Sequence, residues 1–306
     1  MKNALIVLVA LAGIAGAAVW LLRDFSPQPM PVPQSSEYTV NPELVKSALE
    51  PYQQALEASR RPVVRIELVD FPEDDPLASK VGGSAWWPQS EAAPTSEEGS
   101  ELVLLAQINF AEMPVSTAYP GKGLLQFFIA PDDYYGANFD GDFSVEGLSQ
   151  QRNFRVVYWP DTSGPGQTLQ PQADDDFMTP HSPDKPRRMN FSADEERLSS
   201  SDYRFDQMFG GNAYGKFEAW AEANGHDKRV IDDIYLELDG AGHKFGGYPY
   251  FTQSDPRSEG PYELLLQLDT DEHMMWGDAG VGGFFIDPAD LAKGDFSRVM
   301  YNWDCH

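Results

Sequence analysis

The hydrophobic pattern changes period several times along the chain. Residues 4–22, ALIVLVALAGIAGAAVWLL, run for 19 residues without a charge. That is about the length of helix needed to cross a bilayer core, and no helical period gives the stretch a polar face; it predicts a transmembrane helix. From Asn41 the spacing becomes that of an amphipathic helix, with Asn41 as N-cap, Pro42 in the first turn and Leu44, Val45, Ala48, Leu49, Tyr52, Ala55 and Leu56 on one side. Pro51 predicts a break in it. From Arg61 the period shortens: Val64, Ile66 and Leu68 alternate with Arg65 and Glu67, as in a half-buried strand. The continuous apolar runs 102–108, 124–130 and 154–159 predict strands buried on both faces. Residues 160–198 turn polar, acidic and Pro-rich, with Asp174-Asp175-Asp176 inside, and predict a long loop or insertion. Helical spacing returns at Tyr214, Phe217, Trp220 and Ala221, closed by Asn224-Gly225, and again from Val230 to Leu238. Strand-like runs resume at 263–268, 283–287 and 298–303. The sum is an α+β body, richer in strand than in helix.

The flanks of the first apolar run set an expected orientation. Lys2 and the amino terminus precede it, and Arg23-Asp24 follow with no net charge, which favours an N-terminus in the cytoplasm. Ala15-Gly16-Ala17 fits a signal-peptide cleavage site, but the apolar run continues through Val19, Trp20, Leu21 and Leu22. The reading is therefore an uncleaved single-pass anchor in the cytoplasmic membrane, with the body on the periplasmic or extracellular side. Residues 26–36 hold Pro27, Pro29, Pro31 and Pro33, the composition of an extended spacer. The expected layout is an anchor over 1–25, a stalk over 26–40 and a body over 41–306.

Within the body a pattern recurs. Gly82-Gly83 precedes Trp87-Pro88, and Gly246-Gly247 precedes Tyr248-Pro249. Leu104-Leu105-Ala106-Gln107-Ile108 is answered by Leu264-Leu265-Leu266-Gln267-Leu268, and Phe127-Phe128-Ile129 by Phe284-Phe285-Ile286. Two copies, over about 63–160 and 243–305, predict an internally duplicated, pseudo-two-fold body. A glutamine inside an apolar strand must find partners. Gln107 and Gln267 therefore either tie down loop backbone or flank a shared cleft and read a ligand.

These stretches resemble the YwqG-like family, the domain of unknown function 1963. The resemblance covers roughly Val63 to Cys305. It rests on Gly82-Gly83 with Pro88, Leu105-Ala106-Gln107-Ile108, Leu125 to Ile129, His243-Lys244-Phe245-Gly246-Gly247-Tyr248-Pro249, Leu265 to Asp269, and Trp276-Gly277-Asp278-Ala279-Gly280. It implies an internally duplicated α+β fold and no particular reaction. Relatives near bacterial toxin systems imply an immunity or partner-binding role. The anchor and the pair Trp86-Trp87 depart from the family's usual pattern.

Charge narrows the partners. The chain of 306 residues has a formal net charge of −26, and the two basic and two acidic residues of 1–40 cancel, so the whole excess lies on the body. Such a surface repels nucleic-acid phosphate. The one cysteine, Cys305, forbids an internal disulfide and a cysteine-cluster zinc site. No nucleophile elbow, phosphate-binding loop, His-Glu-x-x-His or dinucleotide fingerprint occurs, and no catalytic residue, metal or cofactor is assigned. The remaining resources are two acidic loops and the aromatic residues. Asp132, Asp133, Asp140 and Asp142 form one loop; Asp269, Asp271, Glu272 and Asp278 surround His273 in the other. The expected function is a non-catalytic binding or protein-interaction module of the bacterial cell envelope. Its candidate ligand-binding residues are Gln107, Gln267, Trp86, Trp87, Trp276 and Asp278, and its partner is a protein or a small molecule. The alternative is an envelope glycan or peptide hydrolase using carboxylates among Asp269, Asp271 and Asp278.

Overall fold

A computed structural model describes residues 40–114, 119–139, 141–171, 178–257 and 260–306. Residues 41–306 form one compact unit. Asn41 caps the first helix, Pro42–Leu49, by accepting from Leu44 N–H at 3.3 Å, and Pro51 falls in a short 3-10 turn that separates it from a second helix, Gln53–Ala58.

The strands are β1 (Arg61–Asp70), β2 (Lys80–Val81), β3 (Ala85–Pro88), β4 (Val103–Asn109), β5 (Leu124–Ile129), β6 (Phe154–Trp159), β7 (Gly166–Leu169), β8 (Arg187–Glu196), β9 (Lys244–Gly246), β10 (Glu263–Asp269), β11 (Val281–Ile286) and β12 (Met300–Asp304). Ten of them make one antiparallel sheet in the order β12-β11-β10-β9-β1-β8-β2-β4-β5-β6, while β3 and β7 form a separate ribbon. Read outward from the central β1–β8 pair, each half has the same parts. There is a long strand, a strand beginning with lysine and leading into Gly-Gly, a glutamine strand, a Phe-Phe-Ile strand and an edge strand. Equivalent details repeat. The glutamine strands carry a register shift at the same place, between Leu104 and Ala106 and between Leu264 and Leu266. Arg65 lies beside Lys244 as Arg188 lies beside Lys80, both two residues before the Glu67–Asn190 pairing about which the halves correspond.

The long strands are exchanged between the copies. β1 precedes β2 in sequence but pairs with β8 and β9, while β8 pairs with β1 and β2. The sheet curls until its two halves meet: the Phe127 and Phe284 rings lie 4.7 Å apart at the centre of a core that draws on both. On the opposite face each half has its own cover. Trp87 packs on Phe128 at 5.6 Å in the first, and Phe251 stacks on Phe285 at 5.8 Å in the second. Helices Phe205–Met208, Ala213–Ala223 and Arg229–Glu237 join the first two through Tyr52, Phe205, Phe209, Phe217 and Tyr235.

Two expectations need correction. No helix among the described residues is long and apolar enough to cross a membrane. The anchor over residues 4–22 and the stalk both fall outside the described residues. Over the described residues the fold is a strand-rich antiparallel sheet with helices and no membrane-spanning helix, so neither the transmembrane helix nor the single-pass placement in the cytoplasmic membrane is supported. Second, residues 160–198 are not one long loop, since they hold β7 and the ten-residue β8. Met189, Phe191 and Ala193 do alternate with exposed Asn190, Ser192 and Asp194, but the run is short and charged residues close it at both ends, Arg187-Arg188 and Glu195-Glu196. Its pairing with β1 along all ten residues supplies what its composition does not. Asp174-Asp175-Asp176 lie outside the described residues.

Candidate functional site

Both Gly-Gly stretches wrap a carboxylate. Lys80, fully buried, donates to Asp74 Oδ1 at 2.5 Å, and Asp74 Oδ2 accepts from Ser84 N–H at 2.6 Å. Lys244, also fully buried, donates to both oxygens of Glu196, at 3.0 and 3.1 Å, and Glu196 accepts from Tyr248 N–H as well. Gly83 and Gly247 stand at φ +76° and +75°, where other residues are strained. A Cβ on Gly83 would sit 2.7 Å from Asp74 Oδ1, and one on Gly247 would overlap Glu196 Oε1. Burial pushes the Lys244 ammonium down to about 8, against the opposing pull of Glu196.

Each glutamine strand lies next to its clamp. Gln107 Nε2 donates to the Pro76 and Ala78 carbonyls at 2.9 and 2.8 Å, and its Oε1 accepts from Gln126 Nε2 at 2.7 Å. Gln126 also donates to Trp86 O, and its Oε1 accepts from Trp159 Nε1. Gln267 Nε2 donates to Gly240 O and Gly242 O at 3.1 and 2.9 Å. Gly283 replaces the second glutamine in this half, so Gln267 Oε1 takes Tyr250 N–H directly at 2.8 Å. Both amides tie loop backbone to the sheet. They stand five strands apart, about 24 Å along the sheet at ~4.8 Å per strand, each bonded to the loops of its own half.

Trp86 and Trp87 alternate as a strand pair must. Trp87 is buried, with its Nε1 bonded to the Glu91 and Ala92 carbonyls; Trp86 is half-buried over Gly166. With Trp159, at 6.2 and 5.1 Å, they roof the first half. Beside this roof a cavity of about 270 Å³ is lined by Ala85, Leu104, Phe128, Thr168 and Leu169.

The acidic loop after β10 is absorbed mostly by its own backbone. Asp269 accepts from Gly242 and Thr270 N–H. Asp271 accepts from His243 Nε2 at 3.0 Å and from His273 and Met274 N–H. Burial raises the Asp271 carboxyl, but those donors overcome it and hold it at about 2. Asp278 is exposed at the tip of a turn closed by Gly280 N–H on Trp276 O. The three carboxylates do not converge. Among the described residues no group of three His, Cys, Asp or Glu is placed to hold a metal ion; Asp140 lies outside them.

A different surface gathers side chains that the core does not absorb. Trp276 is fully buried and packs on Tyr135 and Trp303 at 5.8 and 6.3 Å. Trp303, half-buried, donates its Nε1 to Tyr134 O at 2.7 Å, which fixes the plane of its ring. From it the rings run outward: Phe139 at 5.8 Å, then Tyr134 at 5.4 Å and Phe143 at 6.2 Å from Phe139. Tyr134 and Phe143 are each 56% exposed and Phe139 36%. Phe139, Phe143 and Trp303 line a groove of about 330 Å³ together with Ser254, Asp304 and Cys305. Asp304 accepts from Thr252 and Gln253, yet burial raises its carboxyl above the usual range.

Residues 79–305 match the family described as a domain of unknown function, DUF1963. The chain belongs to the DUF1963 family. No curated protein matches it. In this DUF1963 chain, Trp276 and Asp278 belong to the groove's neighbourhood, while Gln107, Gln267, Trp86 and Trp87 belong to the two halves of the sheet. Phe139 and Phe143 escaped the sequence reading because they sit in an acidic, Gly-containing loop with no periodicity. The signal that could have found them is the loop itself, where two large apolar residues alternate with carboxylates that cannot share a core with them. The clamp lysines were equally legible as Lys-x-Gly-Gly at 80–83 and 244–247.

Proposed function

We propose that this DUF1963 protein is a non-catalytic binding module that takes a partner at the aromatic groove beside β12. The observation that carries this is the run of contacting rings, Trp303, Phe139, Tyr134 and Phe143, which ends on two side chains more than half exposed. Contiguous exposed apolar surface of this kind marks interaction sites, and aromatic anchors dominate the energy of such interfaces. The hydrolase reading has less support, since Asp269 and Asp271 spend their oxygens on backbone and His243 while Asp278 stands apart.

The test is a photo-reactive residue placed at Phe143 in the full chain, in the cells that make it, with the same residue at Leu236 as control. Leu236 is 55% exposed on the helix Arg229–Glu237. A discrete conjugate from position 143 and not from 236 supports the module. Equal labelling from both positions, or none from 143, removes it.

A further inference from the structure

Resting on the module reading, we infer that the groove's occupant is a cationic protein segment whose Lys or Arg side chains lie on the aromatic faces. Three observations converge.

The first is the ring array. The Trp303, Phe139 and Phe143 rings line an open groove, and Tyr134 meets Phe139 edge to face beside it. An aromatic face carries negative potential and draws a guanidinium or ammonium that comes within about 6 Å. The chain uses the same contact internally, with the Arg61 guanidinium 3.8 Å from the Tyr248 ring centre.

The second is the charge of the surroundings. Exposed carboxylates stand on the loops that carry the rings: Asp133 beside Tyr134, Asp142 beside Phe143, and Asp278 on the turn under Trp303. Hydrogen bonds from Ser144 hold Asp142 below the usual carboxylate range, so it stays charged. The segments 130–150, 273–287 and 299–306 contain no Lys or Arg. In 251–257 there is only Arg257, which is fully buried and paired with Asp202 and Asp255. Arg152, from outside these segments, acts on Asp142. The formal net charge of −26 reinforces the local sign and would steer a basic partner toward the chain.

The third is that the platform is braced. Tyr301 Oη donates to Tyr135 O at 3.0 Å and Trp303 Nε1 to Tyr134 O, so β12 holds the ring-bearing loop. The Trp303 ring and the backbone that carries Tyr134 need not be ordered when a partner arrives, which spares that part of the cost of binding.

The experiment is calorimetric titration of the full chain with an alternating Arg–Val peptide and its Glu–Val counterpart. Two variants accompany it: Tyr134→Ser/Phe143→Ser, and Asp133→Asn/Asp142→Asn/Asp278→Asn. All five positions are exposed, so both variants keep the parent's melting temperature. The inference expects the Arg–Val peptide to bind and the Glu–Val peptide not to. It expects the ring variant to weaken binding by about tenfold and the carboxylate variant by about fivefold, with the latter loss shrinking at high salt. It is overturned if the Arg–Val peptide fails to bind, or binds the ring variant as well as the parent, which would be general attraction to an acidic protein. A position-143 conjugate whose partner contributes an acidic or uncharged segment, or is residues 1–39 of this chain, would sink the cationic inference. The first of these leaves the module reading standing.

Discussion

Lys244 donates to both carboxylate oxygens of Glu196, and both side chains are buried. Removing one partner strands the other, although Arg65 also lies 2.9 Å from Glu196. Lys244→Met is expected to cost about 3 kcal/mol, and Lys244→Met/Glu196→Gln to recover more than half of it. Urea unfolding of the two variants measures both. Equal losses would mean that the pair is not the source.

The glycine after each clamp is exacting for a separate reason. Gly247→Ala combines a strained φ with overlap on Glu196 and is expected to cost more than about 2 kcal/mol. Gly121→Ala, where a Cβ would meet nothing within 4 Å, is expected to stay within about 0.5 kcal/mol of the parent. Thermal melts of the two variants separate backbone geometry from a general intolerance of change.

Gln107→Leu leaves the Pro76 and Ala78 carbonyls without their amide donor inside the protein. The expected loss is about 2–4 kcal/mol, seen in unfolding with no ligand added. A glutamine kept for reading a ligand would leave the empty protein's stability unchanged.

His181 makes stability depend on pH. Its Nε2 lies 2.9 Å from Leu104 O, so the neutral ring carries its proton there, and its buried Nδ1 faces no partner. A second proton would have to sit on Nδ1 away from water. Burial therefore depresses the pKa from 6.5 to about 4, with only the Leu104 carbonyl opposing. Above pH 6.5 the ring is neutral folded and unfolded, and stability is whole. As pH falls toward 4 the unfolded chain takes up the proton first, and the fold loses up to about 3 kcal/mol. His181→Gln is expected to flatten unfolding free energy against pH between 6.5 and 4. The loss tied to Asp271, held at about 2, falls at lower pH and remains.

The sequence exposed the sheet where burial was two-sided. Leu104 to Ile108, Leu124 to Ile129 and Leu264 to Leu268 are apolar because neither face meets water, and they became β4, β5 and β10. It hid β8, whose outward residues are polar and whose place depends on a partner more than a hundred residues earlier in the chain. Local periodicity cannot register a long-range pairing. The groove was hidden differently. Trp303 and Tyr134 are aromatic, but composition cannot say which rings the core leaves outside. Phe139 and Phe143 are exposed because Trp303, Trp276 and Tyr135 already fill the space beneath them.

The exchanged long strands dictate a timetable. When a ribosome has released the first 160 residues, β1 has neither neighbour, because β8 and β9 are still to be made, and β2 has β4 but lacks β8 on its other side. Neither copy can close on its own during synthesis. The nascent chain carries bare apolar strands until its last third emerges, a period in which edge-to-edge sticking competes with folding. Duplication doubled the architecture, and the exchange made the two copies mutually obligate, so losing β1 or β8 deprives both halves of a sheet partner.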